Sequence, residues 1–165
     1  IGMAASMYYD EDQWAIGGIQ KTGQWDTNLE EVWHVVSAGW YEVYPKYFGN
    51  KESMLHEAMD KARGGKFVEV PSKYPKSAWY SYNDKGCSYE CQAHEYFYWI
   101  LMANINALNL SYTDKCSPND EWNICNRFDL KKKDILAYEL LNNYDFIFPT
   151  KIPNGEYKPN IINVH

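Results

Sequence analysis

An α+β domain, mainly helical with a small sheet near the N-terminus and stabilised by disulfides, is the fold class this 165-residue chain predicts. Three observations lead there. Residues 1–25 carry Gly17, Gly18 and Gly23 among Tyr, Trp and Ile, the mark of short extended segments joined by turns. Downstream, apolar side chains recur with helical spacing in several stretches. The cysteines are an even set, Cys87, Cys91, Cys116 and Cys125, whose separations suit two disulfides better than the tight Cys-x-x-Cys pairs of a zinc site. Three pairings are open: a local Cys87–Cys91 bridge is feasible if Cys87 precedes the next helix, and otherwise the pair clamps the loop between Cys116 and Cys125.

Taken in order, the first helix starts at Thr27, runs to about Ala38 and ends at Gly39. Thr27 followed by Glu30 reads as a capping box. Leu29, Val32, Trp33, Val36 and Trp40 form one apolar stripe, expected to pack on the core. Residues 44–49 break the pattern at Pro45. A second, more polar helix over residues 53–63 is stopped by Gly64-Gly65 and is expected on the surface. Residues 67–84 hold two prolines and several aromatics without helical period and read as a packed loop. Residues 89–108 are the strongest helix; from Tyr96 to Leu101 every position is apolar or aromatic, which predicts burial all round. An amphipathic helix over residues 131–143 follows, with Ile135, Leu136, Leu140 and Leu141 inward, and then an extended tail with an Asn154-Gly155 turn. One domain over residues 1–165 is the reading, expected to be part of a longer precursor because the chain opens Ile1-Gly2-Met3.

Bulk properties exclude several functions. A formal charge of −6 disfavours nucleic-acid binding and polybasic membrane anchoring, both of which need concentrated Lys and Arg. The longest apolar run, near residues 96–103, is far short of the roughly 20 residues a membrane-spanning helix needs. Glycine-rich phosphate loops and serine or cysteine nucleophile motifs are missing. Disulfides together with an Asn109-Leu110-Ser111 glycosylation sequon predict a secreted, extracellular glycoprotein. The aromatic share is 17%, so Trp25, Trp40, Trp79 and Tyr80 are the rings that would serve a glycan if exposed, core packing being the plainer use.

The candidate chemistry lies in Thr27-Asn28-Leu29-Glu30-Glu31-Val32-Trp33-His34. Glu30 and His34, four apart, stack on one side of a helix beside the apolar stripe, and Glu31 reaches the same cleft from the neighbouring direction. Glu95, in Cys91-Gln92-Ala93-His94-Glu95-Tyr96-Phe97-Tyr98-Trp99, is a carboxylate on a helix otherwise wrapped in apolar side chains. Burying it costs several kcal/mol unless it is paired or bound to a cation. A lysine, the His34 imidazole or a metal would meet that need. Plainer readings stand beside these: Glu30 as a capping residue, Glu31 as a first-turn acid favoured by the helix dipole, and a metal-free His34–Glu95 pair. His94 is a substitute ligand for Glu95. His56-Glu57, Asp10-Glu11-Asp12 and Lys131-Lys132-Lys133 read as solvated clusters.

With Glu31 and His34 on one helix and Glu95 on a later buried helix, the chain resembles the gluzincin branch of zinc peptidases, particularly lethal-factor-like domains. The phrases Leu29-Glu30-Glu31-Val32-Trp33-His34, Ala38-Gly39-Trp40, Ala62-Arg63-Gly64-Gly65, Ala78-Trp79-Tyr80 and Glu95-Tyr96-Phe97-Tyr98-Trp99 are also similar to a set of uncharacterised secreted proteins. The resemblance implies a degenerate zincin core with Glu30, His34 and Glu95 as metal ligands. It also implies Glu31 as the base that takes a proton from water at the ion, and Tyr96, Tyr98 or Tyr80 steadying an oxyanion. Two carboxylates shift the preferred ion from Zn toward the harder Ca or Mn. The function so implied is a secreted metal-dependent hydrolase of peptides or related amides. The alternative is a non-catalytic extracellular module that self-assembles through residues 67–84 or binds glycans.

Overall fold

The structure is a computed structural model that describes residues 5, 7, 27–49, 51–108, 116–117 and 120–151. The segment expected to form the N-terminal sheet, the Asp10-Glu11-Asp12 cluster, Trp25, the Asn109 sequon and the Asn154-Gly155 turn lie outside the described residues. Among the described residues six helices follow in order: α1 (Asn28–Val43), α2 (Pro45–Phe48), α3 (Met54–Arg63), α4 (Tyr89–Asn104), α5 (Arg127–Lys133) and α6 (Ile135–Leu141).

The α+β expectation is corrected: the described residues are helical, without a strand or sheet. Their only β-type pairing is one antiparallel bridge, Tyr80 with Trp122, flanked by Ser81 N–H to Glu121 O at 2.8 Å and Asn123 N–H to Trp79 O at 3.2 Å. Neither partner segment extends into a ladder, because Trp79 and Tyr80 also direct their N–H groups to Ala62 O at the end of α3. The loop's backbone donors are thus met by a helix end as well as by a strand neighbour.

Helix α4 is the centre, with α1, α3, α5 and α6 packed around it. Its residues Tyr96 through Ala103 are all buried, as the unbroken apolar run predicts. Ser88 caps it by accepting from Cys91 N–H, and a Cys87–Cys91 disulfide closes the turn that enters it. The second bridge joins Cys116 to Cys125, so both expected disulfides are present and the sequence-local pairing is the one adopted.

Several helix boundaries differ from the sequence reading. Helix α1 continues past Gly39 to Val43: nothing stands within 4 Å of where a Cβ on Gly39 would lie, so no packing there forces a stop. Residues 45–48 form a short helix with Pro45 in its first turn, where a missing N–H does no harm. Helix α3 does not lie on the surface, for Leu55, His56, Ala58, Met59, Ala62 and Arg63 are buried. Its stop is as expected: Gly64 adopts φ 78°, and Gly64 and Gly65 N–H return to Lys61 O and Asp60 O. Any other residue at position 64 would also press its Cβ to 2.9 Å from Pro75. The helix expected over 131–143 is two helices, α5 and α6. Asp134 breaks them apart by capping α6 through Ala137 N–H while accepting from Trp79 Nε1 at 2.8 Å and Tyr96 OH at 2.7 Å.

The face that α1 turns inward is only in part the one predicted, for Leu29, Trp33 and Trp40 of the stripe pack on the core. Trp33, Ser37 and Tyr41 are its buried line, whereas Val32, Val35, Val36 and Val43 are exposed. At 100° per residue this rotates the inward face by about a quarter turn from the Leu29-Val32-Val36 stripe toward Glu30 and His34. Rings do the turning. Trp33 meets Phe97 edge-on at 5.1 Å, and Tyr41 stacks on His94 at 4.1 Å, zipping α1 onto α4. Trp40 stacks on Phe148 at 4.4 Å and meets Phe48 and Phe146, so a second ring cluster holds the other edge of α1 against α2 and the chain after α6. Much of the aromatic content is spent there rather than on an exposed platform.

Candidate metal centre

Glu30 and His34 lie one helical turn apart on α1, on either side of Trp33. Glu95 lies on α4, two residues before the Phe97 that Trp33 packs against. The Trp33–Phe97 contact therefore brings the two polar sets together. One donor atom each from Glu30, His34 and Glu95 gathers within 4.8 Å of the others, and all three side chains are only partly exposed. His34 Nε2 stands 3.5 Å from Glu95 Oε2 and has no hydrogen-bond partner. The His34 backbone is steadied by Ser37, whose hydroxyl donates to His34 O at 3.3 Å and also bonds Tyr41 OH at 3.0 Å.

The reciprocal capping box is not formed: Thr27 has helical backbone angles and its side chain makes no cap bond, while the Glu30 carboxyl shares a hydrogen bond with Glu95. Burial, a hydrogen bond with Glu95 and the charges of Glu95, Glu121 and Glu31 push the Glu30 carboxyl up to about 10. Glu121, in the loop closed by Cys116–Cys125, is close enough to feel the cluster's charge: it is buried, and burial followed by the Glu95 charge pushes its carboxyl up to about 7, the Trp99 indole partly offsetting the effect. Among the described residues no lysine or arginine forms an ion pair with Glu30, Glu95 or Glu121. Arginine is used elsewhere, since the fully buried Arg63 pairs with Asp60 at 2.7 Å and also bonds Gln92 and Phe67 O.

Other expected residues are placed differently. Glu31 is partly exposed at the next position of α1. Tyr96, expected to steady an oxyanion, is not brought to the triad: it is fully buried and donates its hydroxyl to Asp134. Tyr80 is likewise buried and donates to Gln92 O at 2.7 Å, while Tyr98 is buried in the core. Tyr82 is half-buried and raised above its ordinary range by burial and by the charges of Glu95, Glu121 and Glu30; Glu95 and Glu121 also act on the buried Tyr80, and Glu95 on Tyr41. His94 is not a substitute ligand. It stacks on Tyr41 and is held neutral down to about 4 by burial and then by the nearby His34.

Of these residues, Glu121 and Tyr82 escaped the sequence reading. An acid beside Trp122 inside a cysteine-closed loop was the available signal for Glu121. Nothing distinguishes Tyr82 from the other tyrosines.

The donor set fits a divalent cation. Two ligands of one ion, with bonds of about 2.0–2.6 Å, stand no more than about 4–5 Å apart, which the three atoms satisfy. The orphaned His34 nitrogen and a carboxyl that keeps its proton for want of positive charge are both what an ion would relieve. Comparison of the chain with protein-family models, curated proteins and solved structures found no match. The site itself therefore carries the functional reading.

Proposed function

We propose that this chain is a secreted, metal-dependent hydrolase of peptides or related amides, with Glu30, His34 and Glu95 holding the ion. The observation that supports it most is the meeting of those three donor atoms within 4.8 Å, at a place where, among the described residues, no lysine or arginine pairs with the acids. When bound, the ion would polarise the carbonyl under attack. Glu31, adjoining the triad on α1, is the base for the attacking water, the role that a glutamate beside the first ligand serves in zinc peptidases. Tyr82 replaces Tyr96 as the O–H donor to the charge developing on the carbonyl oxygen: it is half-buried and kept protonated, whereas the Tyr80 and Tyr41 hydroxyls are engaged with Gln92 O and Ser37. Glu121, whose carboxyl exchanges its proton near neutral pH, is the donor to the departing amine. Two formed disulfides support an oxidising, extracellular setting. No helix among the described residues is long and apolar enough to cross a membrane.

Elemental analysis after equilibration with Zn, Mn and Ca tests the reading. One ion per chain is expected, kept by Glu31→Gln and lost by His34→Ala, with hydrolysis of a peptide library lost in both. A protein without stoichiometric metal would leave the alternative, a non-catalytic extracellular module.

A further inference from the structure

A cavity of about 390 Å³ opens at the C-terminal end of α4, within the roughly 300–1,000 Å³ typical of small-ligand sites. Asn104 is nine residues along α4 from Glu95, roughly 13 Å of helix rise, so the cavity is separate from the candidate metal centre. Its lining contains no Asp, Glu or Lys, although the chain carries −6 overall. The polar groups are instead the amides of Asn104, Asn106, Asn142 and Asn143, the Thr150 hydroxyl and the guanidinium of Arg127.

Asn104, Asn106, Asn142 and Arg127 are held in place by one another. Asn142 Nδ2 donates to Asn104 Oδ1 at 3.0 Å and to Tyr138 O at 2.7 Å, and Arg127 Nη2 donates to Asn142 Oδ1. Arg127 N–H donates to Asn106 Oδ1 at 2.9 Å, holding Asn106 at φ 58°, a left-handed conformation that asparagine tolerates better than most residues. Asn104 is only 5% exposed, so this wall is anchored in the core. Opposite in character is Tyr144, which lines the same cavity with 95% of its surface exposed.

We infer that this cavity binds a short saccharide. Amides offer donor and acceptor side by side, the pattern that neighbouring sugar hydroxyls present, and an exposed phenol ring suits the apolar face of a pyranose. A phosphate is a poorer match, because the lining offers one guanidinium against four asparagine amides. The inference does not depend on the metal reading, since none of the three triad residues lines the cavity.

An immobilised-glycan array followed by titration calorimetry with the retained glycans tests it. Wild-type protein is expected to retain at least one glycan class, with or without chelator. Tyr144→Ala, which removes a ring that makes little packing contribution, is expected to weaken binding tenfold or more without shifting the melting temperature. Asn142→Ala is expected to weaken it similarly. No glycan retained, binding lost on chelation, or binding untouched by both variants would overturn the inference.

Discussion

The imidazole Nε2 of His34 stands 3.5 Å from Glu95 Oε2 and takes no hydrogen bond from anything else. An imidazole from one helix and a carboxylate from another are therefore apposed across an interface that rings, not charges, hold together. Such an arrangement is costly without a third party, and the predictions concern what that third party does.

Cation binding and stability should trade places at Glu30. In chelator, Glu30→Gln is expected to stabilise the protein by about 1–3 kcal/mol, because the native state no longer has to protonate or neutralise a buried acid. In wild-type protein, a cation at 100 times its dissociation constant should add about 2.7 kcal/mol, and the variant should lose that gain. Thermal melts with and without each ion check both signs. A variant less stable than wild type in chelator would contradict the electrostatic reading.

The pH dependence follows from the same carboxyls. Glu30 and Glu121 have folded-state values raised to about 10 and about 7, so between about 4.5 and those values the folded metal-free chain holds more protons than the unfolded one. Stability must then fall as pH rises through that window. Buried His56 and His94 have lowered values and act in the opposite direction, but only below about 6.5, where the unfolded chain takes up their protons. From pH 7 to 9 the acids alone decide: the metal-free protein should melt progressively lower, and Glu30→Gln should flatten the slope.

Asp134 is a buried polar tie that accepts three hydrogen bonds in the core. Asp134→Ala would leave the Trp79 indole and Tyr96 hydroxyl without their acceptor and uncap α6, at a combined cost of about 2–4 kcal/mol. Asp134→Asn, which retains one acceptor oxygen, should cost less. Urea denaturation of the two variants gives the comparison, and equal losses would mean that packing rather than hydrogen bonding is responsible.

The two disulfides should differ in effect. Each closes a short loop, and the chain-entropy contribution is about 2–3 kcal/mol for either. Cys116–Cys125 also encloses Glu121, so replacing both of its cysteines by serine should weaken cation binding as well as stability. The same change at Cys87 and Cys91 should affect stability alone. Matched metal titrations distinguish them; equal weakening would remove Glu121 from the site.

Helices α1, α3 and α4, the stop at Gly64, the all-round burial of Tyr96 to Leu101 and the candidacy of Glu30, His34 and Glu95 were legible in the amino-acid sequence. Each rests on local spacing or on the cost of burying a charged group. Other features depended on partners distant in the chain. Thr27 and Glu30 spell a capping box, but the capping bond forms only if Glu30 has nowhere better to point, and Glu95, far along the chain, supplies that place. The valines of α1 outnumber its inward rings, yet Trp33 and Tyr41 find Phe97 and His94 and rotate the helix toward its polar side. Tyr96 and Tyr82 are equivalent phenols until Asp134 captures the first and the charges of Glu95, Glu121 and Glu30 act on the second. Residue type and spacing determined which groups were available for chemistry; tertiary packing decided which of them meet, because burial energy depends on the neighbour and a linear sequence does not specify its neighbours in space.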